Sequence, residues 1–217
     1  MTEDERLAAF STTYLGGRSV PPDLVILLKM QWSRVPDPGG ENYVDPLEAF
    51  NFQLLSDGQQ SSVFDKSYLS ETDRTNPDIM ANVAAIDDVL THMLVVGELG
   101  DYGAYGYWLG PENRPIESAP IVRLDTEGQF ELRRGRMLAE TLLLDYGAYD
   151  NDEEFIDLRD WFNDFGLNIT ASSRDEFPSL DIKPTPDDLH LERYNAHRVA
   201  AGLPPYVPRS VGSSPKE

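Results

Sequence analysis

Apolar residues recur at helical spacing through much of the chain, with a stretch of strand-like alternation at its centre. Leu7, Ala8 and Phe10 mark one side of a polar segment and predict a short helix over 3–13, ended by Gly16-Gly17. Ser19-Val20-Pro21-Pro22-Asp23 then reads as a helix start, because proline suits the first turn and an acidic group meets the positive end of the helix dipole. That helix carries Leu24, Leu27, Leu28 and Met30 to about Trp32, before Pro36 and Pro38-Gly39-Gly40. Residues 49–55, ahead of Asp57-Gly58, have the aromatic and aliphatic content of a strand, whereas the polar stretch 61–74 shows no period. Asn76-Pro77-Asp78 opens a second long helix, with Ile79, Val83, Ile86, Leu90 and Met93 three or four apart.

The period then changes. Leu94-Val95-Val96 reads as a short buried strand ending at Gly97. Residues 104–109 alternate, which sets Tyr105, Tyr107 and Leu109 on one face and Gly106 and Trp108 on the other. Residues 120–124 and 129–133 flank Asp125-Thr126-Glu127-Gly128 as a hairpin, with Val122, Leu124, Phe130 and Leu132 on its core side. Short connections make the sheet mainly antiparallel, and helices packed on one side of it give an α+β fold. Further helices are predicted over 136–146, over 152–165, and from Pro184-Thr185-Pro186-Asp187 to Gly202. The expected division is a helical arm (1–19), an α+β domain (20–146), a helical C-terminal extension packed on it (147–208) and a frayed tail (209–217).

Composition narrows the classes of function. With 40% hydrophobic residues in 217, the chain has material for a core, so global disorder is not expected. The absence of cysteine rules out disulfides, thiolate catalysis and iron–sulfur ligation, and fits a reducing compartment. Met1-Thr2-Glu3-Asp4-Glu5-Arg6 lacks the basic start and apolar run of a secretory signal, so a cytoplasmic location is expected. The most apolar run, 24–30, contains Lys29 and is too short to span a bilayer. The formal net charge of −20 argues against nucleic-acid and anionic-lipid partners and favours basic proteins, although acidity also serves solubility alone.

Candidate chemistry is sparse. The sequence has no nucleophile elbow, no phosphate loop followed by lysine and no dinucleotide fingerprint, and no cofactor is expected. His92, His190 and His197 lack metal-ligand spacing. Asp125 and Glu127 could serve as a general acid–base pair in a hydrolase, but Asp at turn entry with Gly128 after it explains them structurally. The run from Gly97 to Trp108 contains Gly-Asp-Tyr-Gly and Tyr-Gly-Tyr-Trp. It reads either as a turn entering a strand, with Gly106 making room for an aromatic neighbour, or as an interface platform of Asp101, Tyr102, Tyr105, Tyr107 and Trp108. Glu153, Asp157, Asp160 and Asp164 form an acidic stripe opposite Phe155, Leu158, Phe162 and Phe165. The stripe is either a solvated helix face or a polyanion-like contact for a basic cleft.

Three segments together resemble the SMI1/KNR4 (SUKH) superfamily. They are Val20-Pro21-Pro22-Asp23 with the helix after it, the 94–109 region with its Gly-Asp-Tyr-Gly turn, and Pro120 to Gly128 with its aspartate-bearing hairpin. The helix at 136–146 stands where that family closes its fold, and the order matches over about 20–146. The loop around 56–76 and the C-terminal segment go beyond the compact family pattern. The resemblance implies a non-enzymatic binding protein, like bacterial immunity proteins that neutralise a cognate basic toxin of nuclease or deaminase type. Fungal relatives imply a scaffold role as the alternative.

Overall fold

The computed structural model describes residues 1–33, 35–36, 43–44, 47–56, 58–100, 103–145 and 152–208. The expected tail at 209–217 and the residues Asp101 and Tyr102 lie outside the described residues. Helix α1 (Glu3–Tyr14) is opened by a capping box between Thr2 and Glu5. Helix α2 (Pro22–Trp32) starts with proline in its first turn and buries Leu24, Leu27, Leu28 and Met30. A two-residue ribbon, β1 (Val35–Pro36) with β2 (Tyr43–Val44), precedes a 3-10 turn (Glu48–Phe50) and β3 (Phe52–Leu54). A second 3-10 turn (Ser62–Phe64) and α3 (Glu71–Thr75) lead into α4 (Pro77–Leu90), which Asn76 caps.

Strands β4 (Met93–Leu99), β5 (Ala104–Trp108), β6 (Ile121–Leu124) and β7 (Phe130–Leu132) follow. With β3 they make a five-stranded antiparallel meander in the order β3-β4-β5-β6-β7, confirming the α+β class. Helices α5 (Leu138–Asp145), α6 (Asp152–Asp164) and α7 (Pro186–Ala200) complete the fold, α7 opened by a capping box between Thr185 and Asp188. Among the described residues no helix is long and apolar enough to cross a membrane.

Helices cover both faces of the sheet, not one. On the first face Phe52, Val96, Tyr105, Tyr107 and Ile121 pack with Phe10, residues of α2 and α5, and Phe155 and Phe162 of α6. On the second, Val95, Trp108, Val122, Leu124 and Phe130 pack with Ile86, Val89 and Leu90 of α4 and Leu189 of α7. The arm and the C-terminal segment therefore belong to the same core as residues 20–146, because Phe10, Leu15, Phe155, Leu167, Ile169 and Phe177 are buried there. Strand β5 is central and buried along its whole length, and the glycine within it has a steric reason. A Cβ on Gly106 would lie 2.4 Å from the Leu94 carbonyl oxygen, so the constraint is backbone and not the expected aromatic ring. The aromatic neighbour sits at Gly97 instead, where a Cβ would meet the Phe52 ring at 2.4 Å.

Groups on both edges of the main sheet are occupied by partners from outside it. At β3 the Gln31 amide mimics a peptide group: its Oε1 accepts from the Leu54 N–H at 2.7 Å, and its Nε2 donates to the Leu54 carbonyl at 2.9 Å. The Phe52 N–H donates to Leu47 O at 3.1 Å. At β7 the Phe130 N–H donates to the Asp187 carboxylate.

Candidate partner-binding groove

The 61–74 segment, which shows no period in sequence, is tied down by hydrogen bonds from side chains. Glu98, near the end of β4, accepts at Oε1 from Ser61 Oγ (2.8 Å), Ser62 N–H (2.5 Å) and Ser62 Oγ (2.8 Å). Arg74 donates to the carbonyls of Leu69 (3.2 Å) and Lys66 (2.7 Å), and Lys66 Nζ lies 2.8 Å from Asp87 on α4. Ser70 and Asp73 form the capping box of α3. The segment becomes one wall of a groove of about 660 Å³, with α4, the end of β4 and the β6–β7 hairpin forming the rest.

The apolar part of this groove's lining comes from Val63, Leu69, Ile79, Val83, Ile86 and Leu124. Among the described residues its lining also holds the carboxylates Asp65, Glu98, Asp125 and Glu127 and one cation, Lys66, already engaged by Asp87. Tyr68 lines it with 68% of its surface exposed, and Phe64 on the adjoining 3-10 turn is 38% exposed. Asp65 accepts from the Ser67 hydroxyl and N–H, and these bonds hold its pKa below the usual carboxylate range. The acidic character continues past the hairpin to the start of α7. There Asp187 is drawn above its ordinary pKa, first by partial loss of water and then by Asp188, Glu131 and Asp125, against the Phe130 N–H.

The residues singled out from sequence do not converge on one place. Asp125 and Glu127 stand at the groove's hairpin wall. Asp125 Oδ1 accepts the N–H groups of Glu127 (2.9 Å) and Gln129 (2.8 Å), while Glu127 accepts from Gln129 Nε2 at 3.1 Å. These bonds support the turn reading of the pair. Gly100 and Gly103 line the groove on either side of Asp101 and Tyr102, which are outside the described residues.

Tyr105, Tyr107 and Trp108 correct the platform expectation, since all three rings lie inside the protein. The Tyr105 hydroxyl donates to Asp145 Oδ2 at 2.6 Å, and Asp145 is also paired with Arg133. Trp108 Nε1 donates to the Pro184 carbonyl at 3.2 Å under the segment entering α7. Burial raises the Tyr105 and Tyr107 hydroxyl pKa values, as it must for groups whose charged form would lose its water. Tyr105 and Tyr107 do alternate with Trp108 across the strand, but both of its faces are covered.

Glu153, Asp157, Asp160 and Asp164 are exposed along α6, which packs on the opposite face of the sheet from the groove. Arg159 lies within this stripe, bonding Asp160 at 2.6 and 2.8 Å and the Ala171 carbonyl at 2.9 Å. The histidines serve contacts between helices and neighbouring rings. His190 Nε2 lies 3.0 Å from Asn82 Oδ1, His197 Nε2 lies 2.9 Å from Asp88 Oδ2, and His92 is edge-on to Trp108. Among the described residues no group of three or more His, Asp or Glu could hold a metal ion.

Sequence reasoning missed Glu98, Phe64 and Tyr68. The legible signals were Ser70-Glu71-Thr72-Asp73, a capping-box pattern, and two aromatic residues set in a polar loop. No protein-family profile, curated protein or solved structure matches this chain.

Proposed function

We propose that this chain is a non-enzymatic binding protein that engages a basic protein partner at the groove between the 61–69 segment, α4 and the β6–β7 hairpin. The observation that carries this reading is a groove whose described lining joins Leu69, Ile79, Val83, Ile86 and Leu124 to the carboxylates Asp65, Glu98, Asp125 and Glu127, while Lys66, the one cation among those described residues, is already paired inside the protein. Apolar surface supplies affinity once water leaves it. Charge of one sign speeds encounter with an oppositely charged partner and disfavours anionic ones. The net charge of −20 extends that attraction beyond contact distance.

The resemblance to the SMI1/KNR4 superfamily suggests the biological form of this binding: cytoplasmic neutralisation of a cognate toxin domain, with a scaffold role as the alternative. The test is a binding titration against the product of any toxin-like gene beside this one. It compares the natural chain with a variant carrying Asp65→Asn, Asp125→Asn and Glu127→Gln. A stable complex weakened about tenfold or more by the variant supports the reading. A complex unaffected by the variant, or no complex with that product, removes it. An acid hydrolase reading of Asp125 and Glu127 would require activity abolished by their double alanine variant.

A further inference from the structure

Resting on that reading and sharpening it, we infer that the groove takes an extended segment of the partner in which basic and apolar side chains alternate. The basic groups lie against Tyr68 and the carboxylates, and the apolar ones on Ile79 and Val83. Three features of the groove favour this occupant over a diffuse polycation. A fully solvated polycation gains nothing from an apolar lining, yet Leu69, Ile79, Val83, Ile86 and Leu124 contribute to one. Tyr68 offers an aromatic face that is 68% exposed in the same groove as Asp65 and Glu127, so a cation bound in it has both a ring and carboxylates available. Finally, the wall is fixed before binding. Glu98 takes three hydrogen bonds from Ser61 and Ser62, and Arg74 and Lys66 tie the other end, so little ordering of the wall opposes capture.

A helical occupant would present its apolar side chains every three or four residues, whereas an extended one turns alternate side chains to opposite sides. The groove's lining mixes the two kinds over a short span, with Leu69, Ile79, Val83, Ile86 and Leu124 interspersed with Asp65, Asp125 and Glu127, which suits a segment whose basic and apolar side chains alternate. Strand pairing with the sheet is not required, since Gln31 and Asp187 already occupy edge groups of β3 and β7.

The experiment is a fluorescence-anisotropy titration with a short labelled peptide alternating lysine and leucine, alongside a lysine–serine peptide of equal charge. Tyr68→Ala and Ile79→Ser are tested in the full chain, with circular dichroism to show that each remains folded. The lysine–leucine peptide should bind the natural chain and the lysine–serine peptide roughly tenfold more weakly. Each variant should weaken the lysine–leucine peptide by about fivefold or more. Equal binding of the two peptides, or binding unchanged by both variants, overturns the inference in favour of diffuse charge attraction. Failure of the lysine–leucine peptide to bind also overturns it. In that case the toxin titration decides the wider reading separately, because it does not depend on the partner's conformation.

Discussion

Asp23 is the buried carboxylate on which two helices start. It sits in the first turn of α2 with 7% of its surface exposed. Its Oδ2 accepts the Leu138 N–H at 3.0 Å, and it also takes the N–H groups of Ala139, Leu24 and Asp23 itself. Replacing Asp23 with alanine removes this acceptor and leaves the Leu138 and Ala139 donors of α5 without it inside the core. A buried unmet donor costs about 1–3 kcal/mol and a lost cap about 0.5–2 kcal/mol, which overlap here because they count the same bonds. The expected loss is about 3 kcal/mol, or about 6–12 °C in Tm for a chain of this size.

Asparagine keeps an acceptor oxygen and should cost about 1 kcal/mol at neutral pH. The pH dependence separates burial from charge. Desolvation raises the Asp23 pKa above 3.8, and it outweighs the four N–H groups that act to lower it. The folded protein therefore holds this proton more tightly than the unfolded chain does. That contribution to stability is full below the unfolded pKa and is lost as pH rises through the folded one. The deficit of Asp23→Asn relative to the natural chain should accordingly shrink as pH increases from about 3.5 to 7. Urea unfolding followed by tryptophan fluorescence measures both quantities, provided the slope with denaturant stays constant. An alanine variant within about 0.5 kcal/mol of the natural chain would refute the capping role. A deficit of Asp23→Asn that widens with pH would show that the negative charge itself is stabilising.

Gly106→Ala should destabilise by about 1–3 kcal/mol through collision with the Leu94 carbonyl in the sheet's central strand, measurable as a lower urea midpoint. Gln31→Leu strips the Leu54 N–H and carbonyl of their partners, so a loss of about 1–3 kcal/mol is expected, with concentration-dependent association in sedimentation experiments as the β3 edge opens. Asp188 is held at a pKa of about 2, first by Lys183 and then by Thr185, which makes its contribution full above 3.8 and lost as pH falls from there through about 2. Asp188→Asn should cost about 0.5–1 kcal/mol at pH 7, and thermal melts should show that gap closing between about pH 4 and 2. A pH-independent gap would contradict it.

The parts of the fold written in local terms were legible. Pro21-Pro22-Asp23 and Asn76-Pro77-Asp78 marked helix starts because proline and capping geometry act over one turn. Val122, Leu124, Phe130 and Leu132 alternate in sequence and form the packed side of their hairpin. Alternation cannot reveal whether a strand's second face is also covered, and the covers of β5 come from residues far away in sequence. Leu189 and the Pro184 carbonyl reach the Trp108 side, while Phe10 and Phe155 belong to the core on the Tyr105 side. The same limit hid the groove. Its wall is fixed by Glu98 and Arg74 through contacts between side chain and backbone, which leave no hydrophobic period to detect.

Burial of Tyr105, Tyr107 and Trp108 moves the functional question from the centre of the sheet to its rim. Those rings contribute packing that fixes β5 between two helical layers, and a partner cannot touch them without unfolding that packing. The sheet margins offer little backbone in their place, because Gln31 and Leu47 occupy the outward groups of β3, and Asp187 holds the Phe130 N–H of β7. Under the proposed function a protein partner would be recognised through side chains, and the groove supplies two kinds with separable effects. Its carboxylates act over a distance of about 8–10 Å at physiological salt, so their neutralisation should lower the association rate and its salt dependence. Tyr68 and the apolar lining act only after water has left, so Tyr68→Ala should raise the dissociation rate and leave association nearly unchanged. Stopped-flow association and dissociation of the bound partner distinguish the two. If both variants change only the association rate, the apolar lining contributes nothing, and the groove is merely part of an acidic surface.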